Sequence, residues 1–125
     1  MEVIDTFAWI EYFAGSEKGG RARRYIEGDG AMTPTIVVAE LTDKYVREGA
    51  NPQERLKFIR SRSTILPLDD ETAELAGTLS ASRRREVKGW GLVDSVILAT
   101  AMIRGAKVVT GDEHFRDLDE AIMLG

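Results

Sequence analysis

G-L-V-D-S-V-I-L-A-T-A-M-I-R-G-A-K-V-V-T-G-D, residues 91–112, decides the architecture. Leu92–Arg104 is too apolar around its circumference for a surface helix, so it is read as a buried helix, with Gly105 as its C′ residue. Lys107–Thr110 (K-V-V-T) follows at once as a short strand. Further short strands are read at Glu2–Asp5, Ala31–Thr33, Thr64–Leu68 and Ala121–Leu124. Amphipathic helices fill the intervals. They run over Thr6–Phe13, Arg21–Glu27, Ile36–Glu48 with Thr35 as cap, Gln53–Arg62 opened by Asn51-Pro52, and from Asp69 or Asp70 to Arg85. Gly19–Gly20 is read as punctuation between the first two helices. Strands alternating with helices predict an α/β chain with helices on both faces of a central parallel sheet. No linker, repeat or low-complexity tract interrupts residues 1–125, so one domain is expected.

Composition removes several chemistries. The 125 residues hold no Cys and one His. That excludes disulfides, thiolate catalysis, Cys-ligated zinc and His-pair zinc motifs. No run of about 18 apolar residues is present and the N-terminus lacks a basic leader, so a cytoplasmic protein is expected. Lys and Arg total 17 against 21 Asp and Glu, a formal charge of −4. This argues against nucleic-acid binding over the whole surface but leaves room for a local basic patch. Twelve of the 17 bases are Arg, the better partner for phosphates.

Four acids stand in apolar company. Asp5 ends the Val3-Ile4 strand, Glu40 follows Ile36-Val37-Val38-Ala39, Asp94 lies between Leu92-Val93 and Val96-Ile97-Leu98, and Asp112 follows Val108-Val109-Thr110. Asp5 and Asp112 should reach the carboxyl edge of the sheet, where α/β proteins bind ligands. Each acid also has a plain structural reading. Asp5 and Asp112 can cap helices, and Glu40 can pair with Lys44 at i+4. Asp94 has no cation at i±3 or i±4, so a buried charge there requires a distant cation or a metal. Glu11 passes the same filter but sits about a turn beyond the edge, and is read as partly exposed. Converging carboxylates stay ionised only around cations, and all-oxygen ligands select Mg²⁺ or Mn²⁺. Such a centre hydrolyses phosphodiesters.

V-I-D-T at 3–6, V-V-A-E-L at 37–41, G-L-V-D-S-V-I-L-A-T-A at 91–101 and V-V-T-G-D-E-H-F at 108–115 together resemble the PIN domain, and more narrowly the VapC toxins of prokaryotic toxin–antitoxin pairs. The resemblance spans essentially the whole chain. It implies a three-layer α/β/α domain with sheet order 3-2-1-4-5, which sets the Asp5 and Asp112 strands side by side. It implies that Asp5, Glu40, Asp94 and Asp112 form the Mg²⁺ or Mn²⁺ pocket of an endoribonuclease, with Thr6 and Thr110 orienting the carboxylates. It further implies a homodimer restrained by a VapB-type antitoxin. After Asp112 the family often has another Asp or Asn close by, whereas this chain has Glu113 and His114. His114 is read as a loop or helix-start residue, with contact to metal or RNA as the alternative; Asp117 is a candidate fifth acid.

Arg83, Arg84, Arg85 and Lys88 are a possible RNA-binding run, and Arg21, Arg23 and Arg24 form a second basic cluster. Trp90 is read as a buried aromatic at a helix start rather than a base-stacking platform. Trp9 is assigned to a dimer or antitoxin surface. Three other functions compete: an RNA-processing PIN nuclease outside a toxin–antitoxin pair, an inactive binding module on the same fold, and a receiver-like signalling domain. The receiver fits worst, because Asp5 has no acidic neighbour and the last strand has no Lys.

Overall fold

The computed structural model describes residues 1–125. Five strands, β1 (Glu2–Ile4), β2 (Ala31–Pro34), β3 (Thr64–Leu66), β4 (Lys107–Thr110) and β5 (Ala121–Met123), form one sheet in the order β3-β2-β1-β4-β5. Every pairing is parallel. β1 and β4 are therefore neighbours, with Val3 opposite Val108 and Ile4 opposite Val109. This order differs from the 2-1-3-4-5 of receiver-type folds, and the signalling alternative falls with it.

Successive strand residues point to opposite faces of a sheet. Val3 and Ile4 are both fully buried, as are Val108 and Val109. Both faces of the central strands are thus covered, which makes the three α/β/α layers. The helices are α1 (Thr6–Ala14), α2 (Glu17–Ile26), α3 (Thr35–Arg47), α4 (Gln53–Arg62), α5 (Asp70–Arg83) and α6 (Leu92–Arg104). As expected, α6 is buried from Ser95 through Ala101 and ends at Gly105 with a left-handed φ of 62°.

Several boundaries and one surface assignment differ from expectation. α2 begins a turn earlier than Arg21, because the Ser16 hydroxyl accepts from the Gly19 amide and caps it. Gly19 and Gly20 are helical, not punctuation. A Cβ at Gly19 would stand 2.0 Å from the Glu11 carbonyl oxygen, so the glycine is what lets α2 lie against α1. Thr35 is the first residue of α3 rather than its cap. At the start of α4 the expectation holds: Asn51 accepts from the Gln53 amide, and Pro52 already has helical backbone angles. β3 stops at Leu66, before Pro67, and α5 stops at Arg83. Trp9 is not a surface residue: it is fully buried, donates from Nε1 to the Thr33 hydroxyl at 3.1 Å and stacks on Phe13. No helix is long and apolar enough to cross a membrane.

Candidate metal centre

In a parallel sheet every strand ends on the same edge. Asp5 follows β1 and Asp112 follows β4, so both stand at that edge. α6 runs back across the sheet to feed β4, and its N-terminal turn carries Asp94 to the same place.

Local backbone chemistry then holds each carboxylate. Asp5 caps α1, with Oδ1 accepting from the Ala8 amide at 2.8 Å. Asp94 accepts from the Gly91 amide at 2.9 Å, completing a capping box at the start of α6. Asp112 accepts from the His114 amide at 3.0 Å and caps a 3-10 turn over Glu113–Phe115. The capping role weighed for Asp5 and Asp112 is therefore real, and it coexists with convergence. One oxygen of each carboxylate is anchored to the main chain, leaving the second without a main-chain donor.

The three acids feel one another. Burial raises the Asp5 carboxyl to a pKa of about 7, against the opposing pull of the Thr110 hydroxyl and the Ala8 amide, and the Asp112 and Asp94 charges raise it further. Asp94 is raised chiefly by burial and also by Asp112; the Gly91 amide, His114 and Arg83 oppose the rise. No Lys or Arg forms an ion pair with Asp5, Asp94 or Asp112. The nearest basic groups are His114, whose Nδ1 lies 3.2 Å from Asp112, and Arg83, which lowers the Asp94 carboxyl without pairing with it.

Glu40 is linked to the site through Thr6. Its Oε1 accepts a short hydrogen bond from the Thr6 hydroxyl, so α3 is tied to the residue after Asp5. The anticipated pair with Lys44 does not form, since Lys44 reaches down its helix to Glu48. Thr110 lies beside Asp5 and accepts from the Asp112 amide at 2.9 Å, touching both strand-end acids.

His114 joins the cluster. Donor atoms of Asp94, Asp112 and His114 all lie within 4.8 Å of one another. Its place two residues after Asp112 is the signal behind the alternative reading of His114 as a metal contact. Asp117 is not a fifth acid of the centre. It is gripped by Arg83 through two hydrogen bonds of 3.0 and 3.1 Å. Arg83 in turn is buried, donates to the His114 carbonyl at 2.9 Å and lies 4.1 Å over the Trp90 ring. Arg83 is therefore withdrawn from the basic run expected to meet RNA; only Arg84, Arg85 and Lys88 are exposed. Trp90 is 4% exposed and donates to the Ser95 hydroxyl, as its buried reading required.

Comparison with known proteins bears on the family and the fold. Ribonuclease VapC11 of Mycobacterium tuberculosis is 30% identical over 122 residues, covering 92% of this chain and 89% of the relative. The toxin–antitoxin complex from Klebsiella pneumoniae contains a chain that superposes with a TM-score of 0.81 at 18% identity, covering 100% of this chain and 98% of that one, a likeness of fold. VapBC-5 from Mycobacterium tuberculosis gives 0.62 at 26% identity, with 98% and 95% covered. The PIN domain pattern matches residues 3–121, leaving only the two chain ends outside it, and the chain belongs to the PIN domain family.

Proposed function

We propose that this chain is a divalent-metal-dependent endoribonuclease acting as the toxin of a VapBC-type pair. One observation carries the reading: Asp5, Asp94 and Asp112 converge on the sheet edge with no Lys or Arg paired to any of them. Two unit charges about 4 Å apart repel by roughly 4 kcal/mol at an effective dielectric of 20. A divalent cation is the partner that the cluster lacks. The donor set, mostly carboxylate oxygen, fits Mg²⁺ or Mn²⁺.

Asp5, Asp94 and Asp112 would hold the metal, with Glu40 linked to the site through Thr6. When bound, such a metal lowers the pKa of a water and offsets charge on the scissile phosphate. The chain's own residues do the rest. The main-chain amides of Ala8, Gly91 and His114 fix the carboxylates before substrate arrives, Thr6 orients Glu40, and Thr110 bridges Asp5 and Asp112. Lys88 adjoins Gly89, which packs on the His114 ring, so the exposed run Arg84, Arg85 and Lys88 borders the pocket and is suited to hold RNA phosphates.

The toxin role rests on the relatives: a protein named as a ribonuclease, and structures described as toxin–antitoxin systems. In this reading residues 1–125 act as one PIN unit in the cytoplasm, as a homodimer restrained by a VapB-type antitoxin. The deciding experiment is a cleavage assay on total cellular RNA with and without Mg²⁺ or Mn²⁺, with the new ends sequenced. Cleavage should require metal and disappear in Asp94→Asn at unchanged circular dichroism. Undiminished cleavage by that variant would sink the assignment.

A further inference from the structure

The buried side-chain atoms without a hydrogen-bond partner are two, Arg83 Nε and His114 Nδ1. His114 Nδ1 lies 3.2 Å from Asp112 Oδ1, yet the pair lacks hydrogen-bond geometry. A lone pair on Nδ1 would face a carboxylate oxygen, which is repulsive. A proton there would be misdirected. A cation bound to both atoms gives Nδ1 the partner it lacks and takes a further lone pair of Oδ1, which already accepts from the His114 amide; ligand atoms about 3 Å apart are what adjacent positions around an ion with bonds of about 2.1 Å require.

The ring is also held in place. Gly89 has φ +87°, a left-handed conformation that disfavours any side chain, and a Cβ there would stand 2.9 Å from His114 Nε2. The opposite edge of the imidazole thus packs on bare backbone. The main chain of His114 is pinned at both ends of the residue. Its amide donates to Asp112 at 3.0 Å and its carbonyl accepts from Arg83 at 2.9 Å. A residue fixed in this way, with its free nitrogen among acids, is arranged as a ligand.

Resting on the metal-centre reading above, we infer that His114 coordinates the ion through Nδ1, beside Asp94 and Asp112, so that the centre is a mixed carboxylate–imidazole site. Nitrogen donors favour first-row transition ions over Mg²⁺, which strongly prefers oxygen. The site therefore takes Mn²⁺ in preference to Mg²⁺.

The test is spectroscopic and does not depend on turnover. Tag-free protein loaded with one equivalent of Mn²⁺ is examined by electron spin echo envelope modulation. The chain has a single His, so imidazole-nitrogen modulation in the wild type can arise only from His114. It should shift on ¹⁵N-histidine labelling and vanish in His114→Gln. That variant should bind Mn²⁺ about tenfold more weakly while its Mg²⁺ affinity changes less. Stoichiometric Mn²⁺ binding without nitrogen modulation in the wild type would overturn the inference and leave the carboxylate centre standing. Failure of the wild type to bind Mn²⁺ at all, or equal binding by Asp94→Asn, would overturn the centre as well.

Discussion

Arg83 and Asp117 join the end of α5 to the segment after β4 by a two-pronged contact, with guanidinium nitrogens 3.0 and 3.1 Å from the two carboxylate oxygens. The Arg83 side chain is 8% exposed and that of Asp117 59%, so the two ends of the pair live in different surroundings. The buried end also supports the His114 carbonyl and the Trp90 face. Arg83→Met should therefore destabilise the protein by about 2–3 kcal/mol, from lost charged hydrogen bonds left unreplaced. Asp117→Asn should cost under about 1 kcal/mol, because its partner's other contacts survive and water reaches the acid. Urea unfolding separates the two, and equal losses would contradict the asymmetry. Arg83→Lys should resemble the Met variant more than the wild type, since an ammonium cannot reproduce the planar fork.

Thr6→Val tests the tie between α1 and α3. The hydroxyl donates to Glu40, while the rest of the Thr6 side chain differs from Val by one methyl. Loss of the tie frees the Glu40 carboxylate from the residue that follows Asp5. RNA cleavage should fall by about tenfold, as for the loss of an orienting partner at a metal site, with a melting temperature within a few degrees of wild type. Unchanged cleavage would mean that Glu40 needs no fixed orientation.

The acids could be picked out in sequence because burial of a charge is visible as an Asp among Val, Ile and Leu. Donor atoms of Asp94 and Asp112 lie within 4.8 Å of each other, and Asp5 feels the charge of both. The sheet order follows the family resemblance. What sequence could not show was competition between partners. Lys44 can reach either Glu40 or Glu48 at i±4, and only the presence of the Thr6 hydroxyl gives Glu40 another donor. Arg83 looks like Arg84 and Arg85 in the chain, but the helix turns it toward Asp117, 34 residues away. Trp9 lies inside the fold rather than on its surface for a related reason: its indole N–H finds Thr33 on β2, a partner that no local pattern reveals. His114 carried no periodic signal at all.

Asp94→Asn should separate stability from function. Burial and the Asp112 charge raise the Asp94 carboxyl, so its ionised form is unfavourable in the metal-free fold. The amide can still accept from the Gly91 N–H, which keeps the capping box. In EDTA the variant should melt at or above the wild-type temperature. Added Mn²⁺ should raise the wild type and leave the variant nearly unmoved. A variant that melts well below wild type in EDTA would show that Asp94 serves the fold before the metal.

The pH dependence follows from Asp5. Its carboxyl titrates near 7 in the folded chain, against 3.8 for an ordinary Asp, with burial as the main cause. Between those two pH values the folded state holds a proton that the unfolded state has released. Stability from this group therefore falls as pH rises from about 4 to about 7, and levels off above. A divalent ion competes with that proton for the same carboxylate. Below pH 7 its binding must expel the proton, and above pH 7 it meets a carboxylate already ionised. The rise in melting temperature produced by saturating Mn²⁺ should thus be small near pH 5 and grow toward pH 8. At pH 6, calorimetry in buffers of different ionisation enthalpy should record proton release on binding. In Asp5→Asn the metal-free protein should lose most of the stability change between pH 4 and 7. A Mn²⁺-induced shift of the same size at pH 5 and pH 8, with no proton released, would place the ion away from Asp5.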